Sequence, residues 1–266
     1  MRRSSGSARA SRPPKVSQPV SGADGNLPYA AARVQARHGL RLDEPAWRRL
    51  EAGRQLGPYL ESVRGGALAA WIARIEPGHD AHVIERALRS EWRGYVRAVA
   101  SWHPREWQGW LDWWAWLPLL PLIARLADPE PVPAWMLADP TCAPIAMGTP
   151  LERAEALTRT PLAPLAPALR AASPIGPAWR EEAARLVPPA DADSRAQLGV
   201  LMRVSGAGAA AAPPGAPAAL LRLFRAAAGT AIASGCHLAL LLLDFERLRG
   251  GLVVRSLFSA PRAEAA

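Results

Sequence analysis

Two short histidine motifs are the first candidates for chemistry. His79-Asp80-Ala81-His82 places two imidazoles and a carboxylate within one turn of chain. Both group types bind zinc, but a structural site takes four ligands and a catalytic site three plus water. No further ligand lies at a matching spacing, and Asp80 has a simpler role as the N-cap of the helix that follows. Cys236-His237 sets a thiol beside a base. Such a pair becomes a nucleophile only when the two side chains face each other, and neighbours on a helix point about 100° apart. His103, just before Pro104, reads as a helix-boundary residue. There is no Walker loop, no dinucleotide glycine fingerprint and no GxSxG elbow. The expectation is a non-enzymatic protein, with no catalytic, cofactor-binding or metal-ligating residue.

The elements around these motifs are helical. Residues 80–100 carry Val83, Ile84, Ala87, Leu88, Trp92, Tyr95, Val96 and Val99 at three- and four-residue steps, with arginines and glutamates opposite. Earlier helices are expected at 28–41, from Asp43 through Trp47 and Leu50, around Tyr59-Leu60-Val63, and over 67–75. Residues 128–177 are dense in proline, which forbids long helices and leaves short ones near 133–138, 150–158 and 163–171. Further helices are expected at 178–186 and 193–203. Residues 206–217, GAGAAAAPPGAP, read as a linker or hinge. The last element is expected from Ala218 to Leu248, continuing to Phe258 unless Gly250-Gly251 breaks it. No segment alternates as a strand does, so the fold class is all-α: a multi-helix bundle of short and medium helices.

Composition narrows the function classes. The 266 residues suffice for a sizeable core. The division is a disordered basic tail (1–26), an N-terminal helical region (27–128) and a proline-rich middle with C-terminal helices (129–266) packed with it as one body. Roughly +4 of the +9 net charge lies in the tail, where Arg2, Arg3, Arg9, Arg12 and Lys15 face Asp24. The remaining arginines alternate with acids and make no dense recognition stripe, so nucleic acid is not the expected partner. The basic start lacks the apolar run of a secretory signal. Residues 110–127 and 226–243 are interrupted by Asp112, Pro118, Pro121 and Arg125, and by His237, so they read as buried helices and not as spans. A cytoplasmic protein follows, with two buried thiols, Cys142 and Cys236.

The most unusual stretch runs SWHPREWQGWLDWWAWLPLL. Trp107, Trp110, Leu111, Trp114 and Leu117 share a broad helical face, which suits an aromatic core wedge. Trp113 and Trp116 widen the arc beyond what one core face needs. Trp107, Trp110, Trp113, Trp114 and Trp116 are therefore the candidate partner surface, facing a protein or a membrane interface.

The segment Tyr29–Gly65, YAAARVQARHGLRLDEPAWRRLEAGRQLGPYLESVRG, resembles the opening of the family of C subunits of V-type and archaeal-type ATPases (the d subunits of the eukaryotic enzyme). The likeness lies in Tyr29-Ala30-Ala31-Ala32-Arg33-Val34-Gln35-Ala36, the acidic turn Leu42-Asp43-Glu44, Leu50-Glu51-Ala52, and Leu56 with Tyr59-Leu60. The helix at 80–96 is similar to the family's Ile-Glu-x-x-Leu helix, and LLLLDFERLRGGLVVRSLF is loosely similar to its closing helix. The chain is short for the family's three helical lobes, and the tryptophan cluster and proline-dense middle depart from its pattern. The resemblance implies a helical socket without an active site, coupling a rotor stalk to the membrane ring of a rotary ATPase. It implies protein subunits as partners and a place on the inner face of the membrane. The alternative is a helical scaffold or assembly factor of another bacterial membrane-associated complex.

Overall fold

The computed structural model describes residues 26–190, 192–205 and 215–259. Among them every regular element is helical. The order is α1 (Leu27–His38), α2 (Glu44–Glu51), α3 (Leu56–Arg64), a 3-10 turn (Ala69–Ile72), α4 (Ala81–Ser101), α5 (Arg105–Trp113) and a second 3-10 segment (Trp114–Leu119). Then come α6 (Leu120–Arg125), α7 (Ala134–Leu137), α8 (Ala143–Ala146), α9 (Pro150–Leu157), a 3-10 turn (Ala163–Leu165) and α10 (Ala166–Arg170). The last four are α11 (Ile175–Arg185), α12 (Ala192–Val204), α13 (Ala216–Ala226) and α14 (Ala231–Ser259). Residues 1–25 of the tail expected over 1–26 and most of the linker expected over 206–217 lie outside the described residues, while Asn26 belongs to the start of α1.

Local chemistry explains most of the starts. Asn26, Asp43 and Asp80 each accept a backbone N–H of the first turn at 2.8 Å, opening α1, α2 and α4. Thr149 and Glu152 close a reciprocal capping box on α9. The prolines act mainly as starters. Pro28, Pro45, Pro121, Pro144, Pro150, Pro167 and Pro217 all sit in the first two positions of a helix, where the missing N–H has no intrahelical partner to lose.

The expected single helix from Ala218 is in fact two. α13 stops at Ala226, the chain turns through Gly229 at φ +85°, and α14 starts at Ala231. The glycine pair 250–251, a candidate break, instead lies inside α14. Every residue from 231 to 242 is buried, so the first turns of α14 are enclosed by other elements and are apolar except for Ser234 and His237. α14 packs against α13, α4, α1, α12, α3 and α5, and α4 packs against α5 and both early 3-10 segments. One apolar cluster runs from Ala30 and Val34 through Trp92, Trp110 and Trp179 to Leu252. No described helix is long and apolar enough to cross a membrane.

Candidate functional site

The tryptophan segment does not form an open face. Trp110 and Trp114 are fully buried, Trp113 is buried, and Trp107 and Trp116 are half-buried. Trp107, Trp110, Trp114 and Trp179 make a chain of edge-to-face contacts with centroids 5.6, 6.1 and 5.6 Å apart. Trp113 Nε1 donates to the Trp179 carbonyl at 3.0 Å, and Trp179 Nε1 returns a bond to the Trp113 carbonyl at 3.3 Å. Trp92 Nε1 donates to the Trp114 carbonyl at 2.9 Å. The reason for this correction is a second layer. α4 and α14 pack against α5, Trp179 of α11 meets Trp113 and Trp114, and the Arg93 guanidinium lies over the half-buried Trp116, so the tryptophans of a wide arc find separate partners.

The histidine motifs are each absorbed by packing. His79 Nδ1 accepts the Glu76 N–H, Asp80 caps α4, and the His82 ring lies flat on Trp135 at 4.4 Å. Among the described residues no group of three metal-ligating side chains is assembled. His103 Nε2 meets Ser234 Oγ at 2.8 Å, and His237 Nε2 meets Tyr95 Oη at 2.7 Å. Burial pushes His103 down to about 4 and His237 to about 3, so both are neutral near pH 7. Burial pushes the Cys236 thiol up to about 12 and Cys142 to about 11, the opposite of what a nucleophile needs.

The charges along the second half of α14 are structural staples. Arg41 holds Asp244 through two bonds, at 2.6 and 3.0 Å. Arg247 bridges Glu44 and Glu51 while lying over Trp47 at 4.9 Å. Arg249 joins Glu85 and Glu246, and Glu85 continues to Arg89 and the buried Asp139. Arg255 donates to the Gly53 and Glu51 carbonyls across the Tyr59 ring. These contacts fix α14 to α2, α3 and α4.

On either side of Arg255 the same helix exposes large apolar groups. Val254 is 51% exposed, Leu257 66% and Phe258 85%. Sequence reasoning assigned these residues no role of their own. The available signal was that Leu252, Val253, Val254, Leu257 and Phe258 together occupy more of the helix circumference than one buried face uses. Comparison of the chain with protein-family models, curated proteins and solved structures finds no match.

Proposed function

We propose that the protein is a helical docking subunit of a larger protein assembly, engaged through the C-terminal turns of α14. The observation that carries this reading is the trio Val254, Leu257 and Phe258. These side chains stand exposed at three- and four-residue spacing on a helix clamped by ion pairs in its earlier turns and by Arg255 between them. Adjacent exposed apolar groups on a rigid support are what a partner's groove takes up. Each large side chain among them stabilises a complex by about 1.5–3 kcal/mol when fully covered.

A narrower form of the same reading makes the partner a V- or A-type rotary ATPase, with this chain coupling rotor stalk to membrane ring. It is supported by the resemblance over Tyr29–Gly65, the segment that supplies α1 to α3 beside α14. The broader form is a scaffold or assembly factor for another membrane-associated complex.

The test is affinity recovery of the tagged chain from gently solubilised membranes, beside a Leu257→Asp/Phe258→Asp variant. Rotary-stalk and ring subunits recovered with the wild type and lost with the variant support the narrower form. A different complex, lost in the same way, supports the broader form and sinks the rotary one. Equal recovery by both proteins overturns docking through α14.

A further inference from the structure

We propose that the hollow between α11 and α12 binds a small aliphatic carboxylate, with its headgroup on Arg180 and its tail on the apolar floor. The site is separate from the C-terminal turns of α14 and does not depend on the docking reading.

The hollow follows from the local sequence. Pro188-Pro189 cannot extend α11, because neither residue offers a backbone N–H. The connection holds the two helices apart, and a space of about 480 Å³ opens between them. Small-molecule sites enclose about 300–1,000 Å³, with mostly apolar walls and a few polar groups that fix orientation. This space has that composition. Leu198 is buried, and the half-buried Val187 and Met202 pack on the core, so the floor is continuous with the interior. Ala184, Pro188 and Pro189 add apolar wall. The charged groups among the described lining residues are Arg180 and Arg195, and none is acidic.

Arg180 is what marks the hollow as a site. Exposed arginines without a partner are common on this surface, but Arg180 is half-buried. Every other described arginine that is buried or half-buried has a partner. Arg41, Arg89, Arg247 and Arg249 hold carboxylates, Arg93 bonds a hydroxyl, and Arg153 and Arg255 bond backbone carbonyls. Arg180 makes no hydrogen bond, ion pair or ring contact among the described residues. A guanidinium drawn partly out of water without a counter-charge carries a desolvation cost. An anion entering the hollow would offset that cost.

The neighbouring groups fit the same ligand. On α11, Glu182 is already held by Arg185 through two 2.6 Å bonds, so it does not compete. Arg195 Nη1 donates to the Ala190 carbonyl at 2.7 Å, which fixes that side chain across the connection. Arg203 Nη1 lies 3.4 Å from where a Cβ on Gly199 would stand, so a third guanidinium reaches the wall. Arg195 and Arg203 are exposed and add positive potential at the rim. The planar fork of Arg180 matches a carboxylate two bonds at a time. The apolar floor takes an aliphatic body, and each buried methylene contributes about 0.8 kcal/mol.

The experiment is isothermal titration calorimetry of the full chain with decanoate, kept below its micelle concentration, and with decanol as the uncharged analogue. Decanoate is expected to bind at a single site per chain. Arg180→Met keeps an apolar stem and removes the charge. It should weaken binding about tenfold, a change of ~1.4 kcal/mol. Arg180→Lys should recover part of the loss. Ala184→Trp, at an exposed position on the wall, should fill the hollow and abolish binding. Arg159→Met, exposed elsewhere, should bind as the wild type does. Circular dichroism checks that each variant keeps its helices. Leu257→Asp/Phe258→Asp should also bind decanoate as the wild type does, so this site and the α14 reading fail separately. No saturable binding by the wild type, equal affinity in Arg180→Met, unchanged binding in a folded Ala184→Trp, or decanol as tight as decanoate overturns the proposal. Arg180-dependent binding that is tighter for decyl phosphate, or for an apolar peptide with a free C-terminal carboxylate, overturns it in favour of that ligand class.

Discussion

The indole of Trp110 fills the space that a side chain at position 235 would need. A Cβ built on Gly235 collides with Trp110 Cη2 and comes within 2.9 Å of Leu201 Cδ2. Neither neighbour is a free surface chain: Trp110 is fully buried in the aromatic row and Leu201 is fully buried on α12. The glycine therefore sets how closely α14 approaches α5 and α12. Gly235→Ala is expected to destabilise the fold by about 1–3 kcal/mol, the usual cost of overpacking, despite alanine's better helix propensity. Urea unfolding measures it. A double-mutant cycle with Trp110→Phe should show coupling between the two sites.

Arg89 and Asp139 form the most enclosed ion pair described, with side chains 9% and 5% exposed. Asp139 also accepts the Thr141 N–H at 2.8 Å, so its carboxylate has two roles. Asp139→Ala leaves a buried guanidinium with only Glu85 nearby. A loss of about 3–5 kcal/mol is expected, whereas Arg89→Met/Asp139→Leu should lose less. Thermal and chemical denaturation of the single and double variants tests this order.

Acid should destabilise the protein below about pH 6.5. His103 and His237 are held near 4 and near 3 in the fold and return to about 6.5 when the chain unfolds. Between those values the unfolded state binds more protons, so stability is full above 6.5 and falls as pH drops. The slope is about 1.4 kcal/mol per pH unit for each histidine. Asp244, raised by burial and only partly restored by Arg41, works in the opposite sense in the carboxylate range. Unfolding free energy measured from pH 7 to pH 4 should show the loss, and His237→Gln should flatten it. A flat wild-type profile contradicts the buried neutral histidines.

Leu257→Gln and Phe258→Gln should leave stability within about 0.5 kcal/mol of wild type, because both side chains are already in solvent. The same changes should reduce binding of an apolar dye. A large stability loss would mean that these residues pack in a way their exposure denies.

The sequence carried the helical periods and the caps well, because both are local. Asp80 and the Val83-to-Val99 pattern define α4, and the prolines correctly limit the middle of the chain to short elements. What depends on distant partners was not legible. Gly229 looks no different from Gly250 in sequence, yet one turns the chain between two helices at positive φ and the other continues a helix. The reason at Gly251 is tertiary, since a Cβ there would meet Tyr59 Oη at 2.7 Å. Likewise Trp113 looks superfluous for one core face until Trp179, far along the chain, supplies a partner for it.

The enclosed position of α14 also bears on how the chain is made. Synthesis releases α1 to α5 first, and the helix that covers their apolar sides emerges only after the whole proline-dense middle. Until then the sides of α1, α3 and α4 that α14 covers face water or a chaperone. Folding is committed late, by one segment, and a ribosome that stalls before Ala231 leaves a sticky intermediate instead of a smaller folded protein.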